Sequence, residues 1–264
     1  GSGRQAAPKP KRAARVSGLY QFIVLSLRNI RILSRDRTSL MLMLLVPWLV
    51  SALDLVIAPL MGKTPYEFMT GDPHNGAITL FLVTIYALLV SGLSQMREFV
   101  KEKDIYKRER LVNLKIFPYV VSKVWVALLL AFWQGLAYTV MHYLAYKMPG
   151  GVTEFSMFYV TMVLAVFSGM MAGLLASAMA PAASSAPMLI IMLLIPQIVL
   201  SGILAPVPKT VSWIASTRWA FQSMIGITGM GSDVAKDACW QLPDDLRNSM
   251  SLDDKAYFGC NCMG

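Results

Sequence analysis

The chain is poor in charge. Only 15% of its 264 residues are Asp, Glu, Lys or Arg and 56% are apolar, against roughly 25% and 45–50% in an ordinary soluble domain. One globule of this size cannot hide that much apolar surface, so a soluble enzyme is excluded, and the same excess excludes an intrinsically disordered chain. Histidine occurs twice and cysteine three times. Neither gathers at metal-ligand spacing, and no Ser/His/Asp or paired-carboxylate pattern points to catalysis; no metal site is expected. Residues 1–16 are small, basic and Pro-containing, without the apolar stretch of a secretory signal, so this end is expected to stay in the cytoplasm. A complete phosphate loop is absent too. Gly62-Lys63-Thr64 resembles the end of one, but its first glycine position is Ile57, inside an apolar run. The chain is expected to bind no cofactor of its own.

What the sequence does have is long apolar runs. Five segments, 39–61, 77–96, 119–146, 155–180 and 185–207, read as helices able to cross about 30 Å of hydrocarbon at 1.5 Å per residue. The expected fold is all-α, a polytopic transmembrane bundle. The net charge of +9 invites a nucleic-acid partner, but its distribution argues against one. Of 24 Lys and Arg, nine lie in 1–38 and seven in 97–118, the alternate-loop crowding of the positive-inside rule. That rule places the N-terminus and loop 97–118 in the cytoplasm, and loops 62–76 and 147–154 with the tail 208–264 outside. The membrane would be a plasma or bacterial inner membrane.

Residues 1–16 read as a basic linker and 17–37 as an amphipathic helix. Leu19, Phe22, Ile23, Leu27, Ile30 and Leu33 gather on one face, expected to lie in lipid. Arg28, Arg31 and Arg35 line the other, toward phosphates. The transmembrane domain, 38–207, carries a cytoplasmic helix at 97–118. Its first part, REFVKEKDIYKRER, holds ten charges in fourteen positions, and Asp104 is set to pair with Lys107 and Arg108. Mixed signs over this length favour docking of a charged partner over a merely solvated helix end.

Other features are read beside plainer alternatives. Gly169 and Gly173 form a G-x-x-x-G stripe, favoured for packing within one subunit over dimerisation. Pro187 and Pro196 interrupt the fifth span, and Gln197 follows; a kinked, partly polar helix could line a cavity or be merely structural. Asp54 and His142 lie toward the outer ends of their spans. Cys239, Cys260 and Cys262 all fall in the tail, where disulfides are favoured over a metal pair, and an odd count implies a further thiol. An external tail after five spans suggests a sixth beyond Gly264.

Several short matches, in order along the chain, identify a resemblance. Gln21-Phe22, Arg28-Asn29 and Arg35-Asp36, then Arg108-Glu109-Arg110, Tyr119 and Ser122-Lys123, then Ser201-Gly202, Trp213 and Thr217-Arg218-Trp219-Ala220-Phe221 together resemble the membrane domain of G-type ABC exporters, of the type-2 exporter superfamily. The resemblance implies six spans, with the last missing from this sequence, and an external re-entrant segment within 208–264. It implies a second copy of the membrane domain, and a nucleotide-binding cassette, fused upstream or separate, that holds ATP and Mg. The connecting helix would use Arg28, Asn29, Arg35 and Asp36. Glu102, Asp104, Lys107, Arg108, Glu109 and Arg110 would couple to the cassette, and Phe81, Ile85, Leu193 and Gln197 would line the substrate cavity. The function so implied is outward movement of a lipid-like or amphipathic substrate; the alternative is a membrane anchor that recruits a soluble partner without transport.

The orientation is testable with the three native cysteines replaced by serine. A membrane-impermeant thiol reagent added to intact cells should label Gly71→Cys and spare Lys103→Cys. The reverse pattern would overturn the inside–outside assignment.

Overall fold

The computed structural model describes residues 17–66, 73–111, 114–203, 207–229 and 242–257, and all regular structure among them is helical. An N-terminal helix, α1 (Gly18–Arg35), is followed by α2 (Arg37–Ser51) and α3 (Leu53–Met61). The long helix α4 (Pro73–Gln95) runs into the short helices α5 (Glu98–Lys101) and α6 (Lys103–Arg110). Then come α7 (Ile116–Ala145), α8 (Val152–Met179) and α9 (Ala186–Val199). The chain continues through α10 (Lys209–Ser212), α11 (Ser216–Thr228), α12 (Asp244–Ser249) and α13 (Leu252–Tyr257).

Among the described residues, four helical stretches are long and apolar enough to cross a bilayer: Arg37–Met61, His74–Lys101, Ile116–Ala145 and Val152–Met179. The protein is thus an integral membrane protein with a helical bundle, as expected for a medium in which every backbone polar group needs an internal partner.

The fifth run departs from expectation. Instead of spanning 185–207, its helix α9 has 14 residues, about 21 Å of rise and short of about 30 Å of hydrocarbon. It stops at Val199 with Leu200 as its C-cap, and Gly202 follows with φ of 89°. Pro187 does not interrupt this helix but lies in its first turn, where proline's missing N–H costs nothing; Pro196 alone sits in its interior. The single helix read over 97–118 is likewise two short ones, divided at Glu102. Cys239, Cys260 and Cys262 lie outside the described residues, as does the basic linker 1–16.

Local chemistry sets the corners. Asp36 caps α2, its carboxylate accepting from the Ser39 amide at 3.2 Å and hydroxyl at 2.6 Å, so the chain leaves α1 and enters the first span at one residue. Those hydrogen bonds hold the Asp36 carboxyl below the usual carboxylate range. At the other end, Gly150 has φ of 94°, and a Cβ there would lie 2.4 Å from Glu154 Cγ. Glu154 needs that space to accept from the Gly151 amide at 2.6 Å and start α8.

The core is built around α4, α7 and α8. Leu80, Val83, Ala87, Tyr138, Phe158, Met162, Val166 and Met170 are buried together. Along α8, Gly169 and Gly173 face α4 so closely that a Cβ on them would lie 2.6 Å from the Leu88 carbonyl oxygen and 2.3 Å from that of Gly92. The G-x-x-x-G stripe therefore serves packing within this chain. Enlarging Gly169 or Gly173 to leucine should lower stability by roughly 1–3 kcal/mol or more, the cost of overpacking a tight contact. Gly226→Ala, where an added Cβ meets open space, should lose nothing. Thermal unfolding in detergent would check this; equal effects at all three glycines would refute the close contact.

Candidate functional site

The charged segment does not hang in solvent. Lys123, on α7, is only 5% exposed in its side chain, and its ammonium lies 2.8 Å from Glu102 and 3.3 Å from Glu98. A lysine this deep in an apolar helix persists because two carboxylates face it. Glu102 also accepts from the Tyr119 hydroxyl at 3.1 Å and lies 4.0 Å from Arg28. Arg28 in turn pairs with Glu109 of α6. Five charged side chains from α1, α5, the α5–α6 joint, α6 and α7 thus form one ion cluster.

Neutral hydrogen bonds fix the same end of the bundle. Asn29 donates to the Ser122 hydroxyl at 3.1 Å, and the Lys115 amide donates to the Gln21 side-chain oxygen at 3.2 Å. Ser177, near the end of α8, accepts from the amides of Phe99 at 2.8 Å and Val100 at 3.1 Å. Ser177 thereby satisfies two of the donors that a helix start leaves open. A push on α5 is consequently felt by α8, and a push on α1 or α6 by α7.

This arrangement alters the reading of α1. Leu19, Ile23, Leu27 and Ile30 do stay exposed along one side, but Leu25, Ser26 and Asn29 are buried. The helix is clamped on α7. Arg28 turns to Glu109 and Glu102, because two fixed carboxylates hold a guanidinium better than water does; Arg31 and Arg35 remain exposed. Nor is Glu102 a solvated side chain, since Lys123 draws it inward. Asp104, Lys107, Arg108 and Arg110 are exposed, and Asp104 lies 3.9 Å from Lys107.

The four residues expected at a cavity fall on α4 and α9, as read. Phe81 is buried edge-on against Phe221 of α11, with ring centroids 6.2 Å apart, and Ile85 is half-buried on the same core. Leu193 is half-buried beside Ile190 and Leu194. The Gln197 side-chain oxygen accepts from the Ser216 amide at 2.8 Å and hydroxyl at 3.2 Å, and its carbonyl from the Thr217 hydroxyl. Gln197 therefore anchors the start of α11 to the end of α9.

At the far end of the bundle the structure joins residues that were read singly. Asp54 and His142, both buried, meet at 2.8 Å. The other ring nitrogen of His142 lies 2.8 Å from the Tyr66 hydroxyl, which lies 2.7 Å from that of Thr79, and Tyr86 donates to Asp54. Burial pushes the Tyr66 phenol above its ordinary range, so it stays protonated. This network pins the loop after α3 to α4 and α7.

Residues 20–230 match the family model described as ABC-2 type transporter. The chain belongs to that family. It is also similar to an ABC transporter ATP-binding/permease protein of Mycobacterium tuberculosis, at 25% identity over 245 residues, covering 86% of this chain and 28% of the relative. The chain thus spans less than a third of that relative's length. The family is the membrane part of ABC transporters, so this chain is the membrane domain of an ABC-2 type transporter.

In this ABC-2 domain, Glu98 and Ser177 were not singled out from sequence, and Tyr119 and Lys123 entered only as part of the family pattern, with no role. A lone lysine in an apolar run, with Glu98 and Glu102 one turn apart just upstream, was the available signal. Lys123→Met should leave two adjacent carboxylates without their cation and cost up to about 3 kcal/mol, the low end for a broken buried pair because Glu98 keeps some water. Adding Glu102→Gln should recover part of that loss. Thermal unfolding of the single and double variants in detergent checks the pairing; strictly additive losses would contradict it.

Proposed function

We propose that the chain is the membrane-spanning subunit of an ATP-driven exporter of a lipid-like or amphipathic molecule. It would work with a nucleotide-binding cassette, fused or separate, that supplies ATP and Mg, and with a second membrane domain. The observation that carries this reading is the ion cluster of Arg28, Glu98, Glu102, Glu109 and Lys123. It makes α1, α5 and α6 one charged platform clamped to the spans, at the end that the positive-inside rule assigns to the cytoplasm. The relative's name, which couples ATP binding to a permease, supports a cassette as the occupant.

Closure of two cassettes would draw the two platforms together. Because Ser177 ties α5 to α8 and Lys123 ties the α5–α6 joint to α7, the movement would pass into the spans as a rigid-body shift. Asp104 and Arg108, exposed on α6, are the side chains left to meet the cassette. Phe81 and Gln197 touch α11, and with Ile85 and Leu193 they sit on the helices expected to flank the substrate path. Three apolar side chains beside one amide suit an amphipathic substrate.

The test uses residues that the fold does not consume. Reversing Glu102 would break the Lys123 pair and confound folding with coupling, so Asp104→Arg with Arg108→Glu is the informative variant. Both side chains are exposed, and like charges set against a docked partner cost several kcal/mol. In proteoliposomes of the transporter with its cassette, ATP-dependent movement of a fluorescent phospholipid between leaflets should fall by about 10-fold or more. Undiminished movement in correctly inserted variant would sink the coupling role. ATP hydrolysis by the wild type with no ATP-dependent movement would favour the anchor reading instead.

A further inference from the structure

The charges of α6 are sorted by side. Glu109 turns toward Arg28, and Glu102, just before the helix, turns toward Lys123 and Arg28. The bases Lys103, Lys107 and Arg110 recur at i, i+4 and i+7, which puts them on a common side of the helix. All three are exposed, and all three line a groove of about 660 Å³ between α6, the start of α7 and the end of α8. Asp104, the acid nearest them, is 89% exposed and is not among the groove-lining residues. Lys103 is steadied at the rim, its ammonium donating to the Pro181 carbonyl at 3.2 Å.

Below this basic rim the wall is apolar, with Val120, Val124, Met171 and Leu175. These residues belong to two helices that cross the bilayer, so the wall lies on the membrane side of the rim. Ile116, Phe117, Leu175 and Met179, at the same end of α7 and α8, present exposed apolar side chains, and the groove opens toward lipid. A soluble anion would use the rim and leave the wall bare. A protein segment would have to bring its backbone into hydrocarbon, where its polar groups lack partners. A lipid with an anionic head and acyl chains satisfies both parts.

We propose that this groove holds one anionic phospholipid. Its phosphate sits against Lys103, Lys107 and Arg110, and its chains lie along Val120, Val124, Met171 and Leu175. The lipid joins α6 to α7 and α8 on a different side of the helix from Glu102 and Glu109, so α6 is held along two sides. Basic pockets between transmembrane helices collect such headgroups because each cation near an anionic surface adds to the attraction. The site stands whether or not the protein moves a substrate.

The test is retention of lipid by the full chain in nanodiscs of phosphatidylcholine mixed with phosphatidylglycerol. After extraction, bound lipids are counted by native mass spectrometry. Wild-type protein should retain phosphatidylglycerol over phosphatidylcholine, and Lys103→Gln with Lys107→Gln and Arg110→Gln should reduce that preference by about 10-fold or more. Ala178→Trp fills the groove from an exposed position on its wall without changing charge, and should abolish retention equally. No preference in the wild type overturns the proposal outright, however the variants fold. Loss in the charge variant with full retention in Ala178→Trp overturns it as well, and assigns the basic rim to a soluble partner.

Discussion

The contact on which the rest of this bundle depends is the backbone-to-backbone approach of α4 and α8. Gly169 and Gly173 bring α8 against Leu88, Ser91 and Gly92 with no side chain between them. In a bilayer no hydrophobic force drives helices together, so close van der Waals packing has to do it. With α4 and α8 set at that distance, Ser177 comes under the first amides of α5 and accepts from both. The charged segment is therefore positioned by glycines more than a turn away.

From that anchor the two ends of the bundle are closed by different chemistry. At the end bearing α1, five charged side chains share one cluster around a nearly buried lysine. Ion pairs in such surroundings add little net stability, since desolvation offsets their attraction, but they are costly to break. That combination suits a platform that has to move as a body and not come apart. At the far end, Asp54, His142, Tyr66, Thr79 and Tyr86 form one hydrogen-bonded network with Asp54 and His142 at its centre. It ties a loop to two spans where no helix ladder could do so. Between the ends the contacts are mostly apolar, crossed by a few side-chain-to-carbonyl hydrogen bonds such as that from Gln134 to Met43 at 3.1 Å.

Much was legible from residue order. Apolar runs of span length, the basic loops and the amphipathic stretch 17–37 pointed to a membrane bundle preceded by a helix, because lipid imposes its demand on composition. The family pattern was legible too, in short matches spread over residues 21–221. Less legible was the fifth run, where apolar composition from 185 to 207 reads as one span. The helix stops at Val199, and Gln197 spends its side chain on α11. Hydropathy registers what a segment can dissolve in and not where its backbone turns.

Partners were the part that sequence left undecided. Lys123 and its two glutamates are 21 and 25 residues apart, Asp54 and His142 are 88 apart, and Arg28 and Glu109 are 81 apart. Nothing in local periodicity distinguishes a charge that faces solvent from one that will be met by an opposite charge on another helix. Composition and spacing by themselves determined that the chain lives in a membrane, where its long apolar helices lie and which loops are charged, since those follow from solvent and from the 3.6-residue turn. The tertiary structure alone decided which charges are neutralised, which glycines touch and which way Arg28 points, since those depend on the distance between helices remote in the chain.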